Sequence, residues 1–182
     1  MLSLVLHSML LIGITLSSGY DDLSREKTAQ QSTNRPCPYD CSAGVAVDRN
    51  VSTCMETMDI GRTMIYKTMW WHVDLGDIYS IYSISIAFKS VDGREKRQRG
   101  RVAGFSLFLS NSTSKENGWM CYKDGPELPP LNFSTNCIGH GRYVIYYNER
   151  IDDETYPDGY ETQSFNFLCE VIVKGKFIVY DP

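Results

Sequence analysis

Apolar and polar residues alternate in several short runs along the chain, which is the pattern of half-buried β-strands. Between Ile78 and Phe88 the even-numbered positions read Ile, Ser, Tyr, Ile, Ile and Phe. The odd-numbered positions near the end of this run are Ser83, Ser85 and Ala87, which are small. We therefore expect a strand whose even positions point into a core and whose odd positions face solvent.

Three further runs extend this pattern. RYVIYY is apolar on both faces, which suits a central strand that is covered on both sides. No segment keeps a period of 3.6 residues for more than a few residues, so long helices are not expected. Many short strands separated by Gly, Pro and Asn predict an all-β fold, either a β-sandwich or a jelly roll. The three runs are Phe105, Leu107 and Leu109 in FSLFLS, Arg142–Tyr147 in RYVIYY, and Phe167, Cys169, Val171 and Val173 in FNFLCEVIVKG.

The beginning of the chain predicts export. Residues 1–19 contain an apolar run, Leu4–Leu16, followed by small residues, which is typical of a secretory signal peptide. A membrane anchor is the alternative, but a run of about 13 residues is shorter than the roughly 20 that span a bilayer. Residues 20–36 are polar and predict an exposed leader. The domain would then occupy residues 37–176, and residues 177–182 would form a tail.

The cysteines and sequons agree with an extracellular location. An even number of cysteines in an oxidising compartment predicts three disulfides, and fifteen connectivities are open. Zinc binding is the alternative, but no CxxC pair occurs and the histidines are far apart. Sequons predict N-glycosylation at Asn50, Asn111 and Asn132. The six cysteines are Cys37, Cys41, Cys54, Cys121, Cys137 and Cys169.

Charge and motifs exclude several functional classes. The net charge of −4 argues against a nucleic-acid partner. No Ser-His-Asp or Cys-His arrangement and no phosphate loop is recognisable, so we do not expect an enzyme. The acidic stretch DDETYPDGYE lacks EF-hand spacing and predicts a solvated loop. The basic stretch Val91–Arg101 predicts a solvated hairpin, with binding of anionic glycans or of an acidic partner as the alternative.

Several motifs together resemble a known family. AVD at Ala46–Asp48, WWHVDLGDIYSIYSISI, RVAGFSLFLS, GRYVIYY and LCEVIVKG occur in the order seen in fucolectin-like domains. These domains belong to the coagulation factor 5/8 C-terminal, or galactose-binding-like, β-sandwich group. The resemblance covers roughly Cys41 to Gly175 and implies a jelly-roll β-sandwich with disulfides. The chain is also similar to the amino-terminal domain of invertebrate surface receptors with EGF-like repeats, although it contains no such repeat.

The tryptophan pair can be interpreted within such a sandwich. Trp70 and Trp71 would point to opposite faces because side chains alternate along a strand. One ring would fill the core and the other would lie under the loop rim, so core packing is favoured over a sugar-stacking platform. Asp74 would accept hydrogen bonds that fix the turn at Gly76.

The resemblance implies a structural calcium ion. Calcium prefers six to eight oxygen ligands, at about 2.3–2.6 Å. Arg49 stands where the family has a glycine, and the loop from Asn50 to Thr53 is shorter than in the family. The alternative is that the two acidic residues are ordinary surface carboxylates. The implied ligands are the backbone oxygens of Val45, Asn50, Thr53 and Cys169, the Thr53 hydroxyl, and the carboxylates of Asp48 and Glu170.

The resemblance also implies disulfide pairs. The family pattern implies Cys54–Cys169, which would join both halves of the calcium site. Cys121–Cys137 follows the same pattern, and Cys37–Cys41 remains by elimination.

The implied sugar site matches the family only in part. Fucose-binding relatives use a histidine before the tryptophan pair and two basic residues after it. The basic positions correspond to Lys89 and to Arg101 in RVAG, whereas the region RTMIYKTM before Trp70 contains no histidine. Lysine supplies a point charge where the family has a planar arginine fork.

Two functions follow from these observations. The first is a secreted, calcium-stabilised, lectin-like domain for innate immune or cell-surface glycan recognition, with glycans or cell-surface glycoproteins as partners. Its rim would include Lys89 and Arg101, together with Tyr66 and Lys67. The second is an extracellular protein-interaction or adhesion module that keeps the fold without binding sugar.

Overall fold

The computed structural model describes residues 19–178. The expected signal peptide therefore lies outside the described residues except for Gly19, as does most of the expected tail. The strands are β1 (Asp21–Asp22), β2 (Thr28–Gln31), β3 (Met55–Glu56), β4 (Ile60–Gly61), β5 (Thr68–Phe88), β6 (Ser106–Ser110), β7 (Trp119–Lys123), β8 (Asn132–Glu149), β9 (Gln163–Ser164) and β10 (Phe167–Phe177). The helix α1 spans Glu95–Val102, and 3₁₀ turns span Ala43–Val47 and Lys115–Asn117.

The strands pair antiparallel in the order β1-β10-β5-β8-β6-β7. In addition β2 pairs with β5, β3 pairs with β10, and β4 and β9 form a separate pair. The first part of β5, residues 68–74, pairs with β2 and with the end of β8. Its last part, residues 79–88, pairs with β10 and with the start of β8. The two long strands thus run through both layers of a sandwich, and the all-β jelly-roll prediction is confirmed.

The hydrophobic core lies between these layers. Trp71 and Val73 from the first part of β5 belong to the same buried cluster as Ile84 from its last part. β6, β8 and β10 add further members, listed by strand as Leu107 and Leu109, Val144 and Tyr146, and Val171 and Val173. Burying a side chain of this size contributes about 1.5–3 kcal/mol, so this cluster is the main source of stability.

The predicted inward face of β5 is correct in only part of the strand. Ile84 and Phe88 are buried as expected, whereas Ile78 and Tyr82 are exposed and Ile81 is buried instead. The pairing with β8 shifts register between Ile81 and Ser83 and again between Asp74 and Tyr79. Each irregularity lets the strand change which side chains point inward, and simple alternation cannot reveal that.

Two expectations for the connecting segments are wrong. Residues 20–36 are not simply an exposed leader, because β1 pairs with β10, β2 pairs with β5, and Leu23 and Ser24 are buried. Backbone hydrogen bonding places this polar segment on the sandwich. The basic stretch is not a solvated hairpin either, since it contains α1. Gln98, Gly100 and Val102 of this helix are buried, so tertiary packing stabilises a segment with no clear helical pattern.

The structure contains the disulfides Cys54–Cys169 and Cys121–Cys137, which the resemblance implies, and Cys37–Cys41, which was expected by elimination. Cys54–Cys169 joins residues 115 positions apart in sequence and holds the segment before β3 against β10. No helix in residues 19–178 is long and apolar enough to cross a membrane.

Candidate functional site

An open cavity of about 600 Å³ lies where the loop after β2, the end of β5, α1 and the start of β10 meet. We call it the Arg101 cavity. It brings together Lys89 and Arg101, the two residues predicted to bind ligand. Its other charged lining residues are Arg35, Arg94, Glu56 and Asp59.

Lys89 is held at the cavity by an anion and an aromatic ring. Its Nζ lies 3.6 Å from Glu56 Oε1 and 4.6 Å from the centre of the Phe167 ring. The Tyr39 hydroxyl donates a 2.6 Å hydrogen bond to the same Glu56 oxygen, which raises the pKa of Tyr39. A buried carboxylate shared between an ammonium and a phenol fixes the position of both donors.

Arg101 is held in a similar way on the other side of the cavity. Its guanidinium carbon lies 4.2 Å from the centre of the Phe165 ring, and Nη1 donates a 3.0 Å hydrogen bond to Gln98 Oε1. Burial lowers the pKa of Arg101, and the nearby positive charge of Arg97 acts in the same direction. The guanidinium remains charged because arginine does not deprotonate in proteins.

Arg150 holds the end of α1 that carries Arg101. This side chain is buried, and its Nη2 donates hydrogen bonds to the carbonyl oxygens of Gly100, Arg101 and Ala103 at 3.3, 3.4 and 3.0 Å. A cation at the carboxyl end of a helix also interacts favourably with the helix dipole. The backbone position of Arg101 is therefore set by a residue outside the cavity.

Several cavity residues were not predicted from the sequence. Arg35 lies in the predicted leader, 3.6 Å from Asp59 and 5.7 Å above the Phe165 ring. Tyr39 lies inside the small disulfide loop CPYDC, where a short loop leaves its ring exposed. The alternation of Phe165 and Phe167 in SFNFLC was a usable signal, because it places both rings on one side of the chain. No local pattern marks Arg35.

The other predicted rim residues lie elsewhere. Tyr66 lines a second cavity of about 490 Å³ that shares Arg35 and Asp59 with the first. Lys67 lines neither of these two cavities, and its Nζ lies 2.8 Å from a carboxylate oxygen of Asp152. We call the second cavity the apolar cavity; it is lined also by Met58, Met64 and Ile65.

The tryptophan pair divides as predicted between two faces. Trp71 is fully buried, and its indole N–H donates a 3.0 Å hydrogen bond to the carbonyl of Ala43. Trp70 is half-buried on the other face and stacks on His72, with ring centres 5.3 Å apart. It lines a separate cavity of about 330 Å³ with Tyr147, so it does not contact the Arg101 cavity.

The predicted metal ligands include a cluster of close oxygen atoms. The Thr53 hydroxyl oxygen lies 2.8 Å from Asp48 Oδ2 and 2.7 Å from the carbonyl oxygen of Asn50. One hydroxyl has one proton, so it can donate to only one of these acceptors. Arg49 has a φ of 71°, the left-handed conformation that favours the family's glycine, and its guanidinium contacts Asp22.

Glu170 is the second carboxylate of this set. It is buried, and among the described residues neither of its carboxylate oxygens has a hydrogen-bond partner. Burial raises the pKa of Glu170, the positive charge of Arg49 opposes this shift, and the negative charge of Asp48 adds to it. Residues 19–178 contain no group of three His, Cys, Asp or Glu side chains that could hold a metal. A cation here would therefore depend on backbone and hydroxyl oxygens besides the two carboxylates.

The three sequon asparagines are exposed. Asn50 is also one of the predicted metal-binding residues, through its backbone oxygen, and its side-chain Oδ1 accepts a hydrogen bond from the backbone N–H of Ser52. Exposure leaves all three side chains accessible for glycan attachment.

No family model and no curated protein matches this sequence. Its structure is similar to a fucolectin from serum of the striped bass, Morone saxatilis, with a TM-score of 0.61 and 22% identity. That match covers 87% of this chain and 48% of the bass chain, so the chain spans about half of that lectin. A fucose-binding module of Streptococcus pneumoniae gives a TM-score of 0.58 at 18% identity, covering 86% of this chain and 96% of that chain.

A chitosan-binding module from a chitosanase/glucanase of Paenibacillus sp. IK-5 is also similar. Its TM-score is 0.60 at 16% identity, covering 85% of this chain and 98% of that chain. The structural neighbours are therefore lectins and carbohydrate-binding modules, which bind ligands without catalysis. The chain has the galactose-binding-like β-sandwich fold that fucolectins and these carbohydrate-binding modules share.

Proposed function

We propose that the chain is an extracellular carbohydrate-binding domain whose sugar site is the Arg101 cavity. The supporting observation is that Lys89 and Arg101 line one cavity. Each cation lies over a phenylalanine ring, Lys89 over Phe167 and Arg101 over Phe165, and this contact orients it. Sugar sites need a few polar groups held in place by apolar or aromatic side chains, and these contacts supply them. The N–H groups would donate to sugar hydroxyls, while Glu56 and Asp59 would accept from them. The exposed ring of Tyr39 offers a face for stacking.

Binding to a glycan array tests this proposal. We expect saturable binding that Arg101→Ala weakens by about tenfold or more, because hydrogen bonds to charged groups contribute about 1.5–3 kcal/mol. Arg25→Ala is the matched control, since Arg25 is exposed, does not line the Arg101 cavity, and pairs with Glu26 at 3.8 Å. Equal glycan binding by the two variants would contradict the Arg101 cavity as the sugar site. Absence of binding to every glycan on the array would contradict the carbohydrate-binding function.

A protein-interaction module is the second candidate function. The apolar cavity beside the Arg101 cavity favours it, because Ile65 is 91% exposed and Tyr66 and Met58 are exposed as well. Exposed apolar clusters often mark binding surfaces for other proteins. If this function is correct, Ile65→Ser should lose binding to the protein partner, and neither the wild type nor this variant should bind any glycan.

The metal-ligand set supports a bound calcium ion. Calcium would accept the two unpartnered oxygens of Glu170 and the crowded oxygens of Asp48, Asn50 and Thr53. The carbonyl oxygens of Val45 and Cys169 would complete the shell. The ion would stabilise the Asn50–Thr53 loop and would take no part in a reaction.

Thermal unfolding with and without calcium tests the metal proposal. A ligand that binds only the folded state stabilises it by about 2.7 kcal/mol at a concentration 100 times its Kd. We expect calcium to raise the melting temperature of the wild type and of Asp158→Asn, an exposed control, but not of Glu170→Gln. An unchanged melting temperature in the wild type would remove calcium from this proposal.

The three disulfides and the exposed sequons support an extracellular location. Expression with residues 1–19 attached should release a protein that starts near Tyr20, and that loses mass on enzymatic deglycosylation. Recovery of the uncleaved chain inside the cells would contradict secretion.

A further inference from the structure

The Arg101 cavity carries more positive charge than its own carboxylates balance. Four cationic side chains line it, and only two carboxylates do. Both carboxylates are already paired, since Asp59 lies 3.6 Å from Arg35 and Glu56 lies 3.6 Å from Lys89. The Arg94 and Arg101 guanidiniums form no ion pair with any carboxylate in residues 19–178.

These two arginines lie on one face of α1. Arg94 is the residue before the helix, and Gln98 and Arg101 follow it by four and seven positions. Residues with this spacing share a helix face, and all three line the cavity. Arg97 neighbours this face, but its Nε lies 3.7 Å from Glu161 and it does not line the Arg101 cavity. The helix segment thus carries one arginine that is paired with a carboxylate and two that are not.

The position of this helix face is fixed by tertiary contacts. Arg150 binds the carbonyl oxygens at its end, Arg99 Nε donates a 2.8 Å hydrogen bond to Pro129 O, and Phe165 supports the Arg101 guanidinium. Guanidinium groups are well suited to a small anion, because each offers two parallel N–H donors to carboxylate or sulfate oxygens. A neutral sugar would leave those charges unmatched.

We propose that the Arg101 cavity selects glycans that carry an acidic group, a carboxylate or a sulfate ester, and that Arg94 and Arg101 bind this group. The inference rests on the proposed carbohydrate-binding function and names its ligand class. Lys89, Glu56 and Asp59 would hold the hydroxyls of the sugar, while the two free guanidiniums would bind its charge.

Matched oligosaccharides test the inference. Lactose, 3′-sialyllactose and 3′-sulfolactose share a core and differ in having no acid, a carboxylate or a sulfate. The same comparison is made on an array of glycan pairs with other cores. We expect the acidic members to bind about tenfold or more tightly than the neutral ones, and added salt to weaken this preference. A preference for only one of the acidic sugars identifies which anion the cavity accepts.

Two variants of equal charge assign the preference to the cavity. Arg94→Gln should reduce the acidic-to-neutral affinity ratio by about tenfold and should leave folding intact, because Arg94 is exposed. Lys96→Gln removes the same charge from another side of α1, where Lys96 is exposed and does not line the Arg101 cavity, and should leave the ratio unchanged.

The outcomes separate the two proposals. Equal affinity for acidic and neutral members of each pair would overturn the acidic preference and leave carbohydrate binding in place. Failure to bind any glycan would overturn both. Binding of polyglutamate as tightly as of the acidic sugars would also overturn the inference, because the surface would then recognise negative charge without recognising a sugar.

Discussion

Asp74 and Arg142 connect two adjacent strands through a bidentate ion pair. Arg142 Nε and Nη2 each lie 2.7 Å from an Asp74 oxygen, and the Gly76 N–H donates a 2.8 Å hydrogen bond to Asp74 Oδ1. The hydrogen bond from Arg142 lowers the pKa of Asp74 from 3.8 to about 2. The expected hydrogen bond to Asp74 is present, but the expected turn at Gly76 is not, because Gly76 lies within β5, with a φ of 94°.

This ion pair makes stability depend on pH in a defined range. A carboxylate whose pKa is lower in the folded state adds stability at pH values above its unfolded pKa, near 4. That contribution is lost as the pH falls toward about 2. Because both side chains are partly exposed, solvent screening makes this contribution smaller than the pKa shift alone implies.

Urea unfolding of Asp74→Asn at several pH values measures this contribution. The variant keeps an oxygen for the Gly76 N–H and loses only the charge. It should be less stable than the wild type at pH near 6 and equal to it near pH 2. Asp158→Asn, which alters an exposed carboxylate with no ion pair in the described residues, should match the wild type throughout. A difference between Asp74→Asn and the wild type that does not vary with pH would exclude the ion pair as its cause.

At the scale of elements, α1 depends on a close contact with the loop before β9. The Gly100 carbonyl accepts a 3.0 Å hydrogen bond from the Glu161 N–H, and an added Cβ at Gly100 would overlap the Gly159 carbonyl oxygen. Glycine is therefore required at a helix position where alanine would have the higher intrinsic propensity. This contact sets the distance between the helix and the loop.

We predict that Gly100→Ala destabilises the protein although alanine favours helices. The overlap with backbone costs about 1–3 kcal/mol, which exceeds the helix-propensity gain of about 1 kcal/mol. The matched control is Gly44→Ala, because no atom lies within 4 Å of a Cβ built there. Denaturant unfolding of both variants measures the difference, and equal stabilities would show that the loop can move away at little cost. The displaced α1 should also weaken ligand binding through Arg101.

On the scale of the whole molecule, each disulfide stabilises the folded state by an amount that depends on the length of the chain loop it closes. Cys54–Cys169 closes a separation of 115 residues, whereas Cys37–Cys41 closes only 4. In the chain-entropy model a loop of about 100 residues is stabilised by about 4.7 kcal/mol, and a very short one by about 2 kcal/mol.

We predict that replacing Cys54 and Cys169 together with alanine costs about 4–5 kcal/mol of unfolding free energy. Replacing Cys37 and Cys41 should cost about 2 kcal/mol or less. Unfolding both double variants in urea without reductant gives the comparison. Equal losses would contradict the dependence on loop length.

Some features of this protein follow from the sequence alone. Alternation of apolar and small residues is a local property, so RYVIYY and FNFLCEVIVKG mark strands that the structure contains as parts of β8 and β10. The order of motifs carries the resemblance that predicts the fold, and the same resemblance points to Lys89 and Arg101, which the structure places in the cavity. These features depend on neighbours in sequence, which is why the sequence determines them.

Other features were decided only by tertiary structure. Arg35, Tyr39 and Phe165 come from distant segments and meet because β10 begins at the side of the sandwich where β5 ends and the loop after β2 passes. Ile81 points inward because the pairing of β5 with β8 shifts register beside it. The helix α1 forms because buried contacts stabilise a segment whose own helical pattern is weak. Long-range strand pairing sets each of these features, and no local residue pattern encodes which distant loops it brings together.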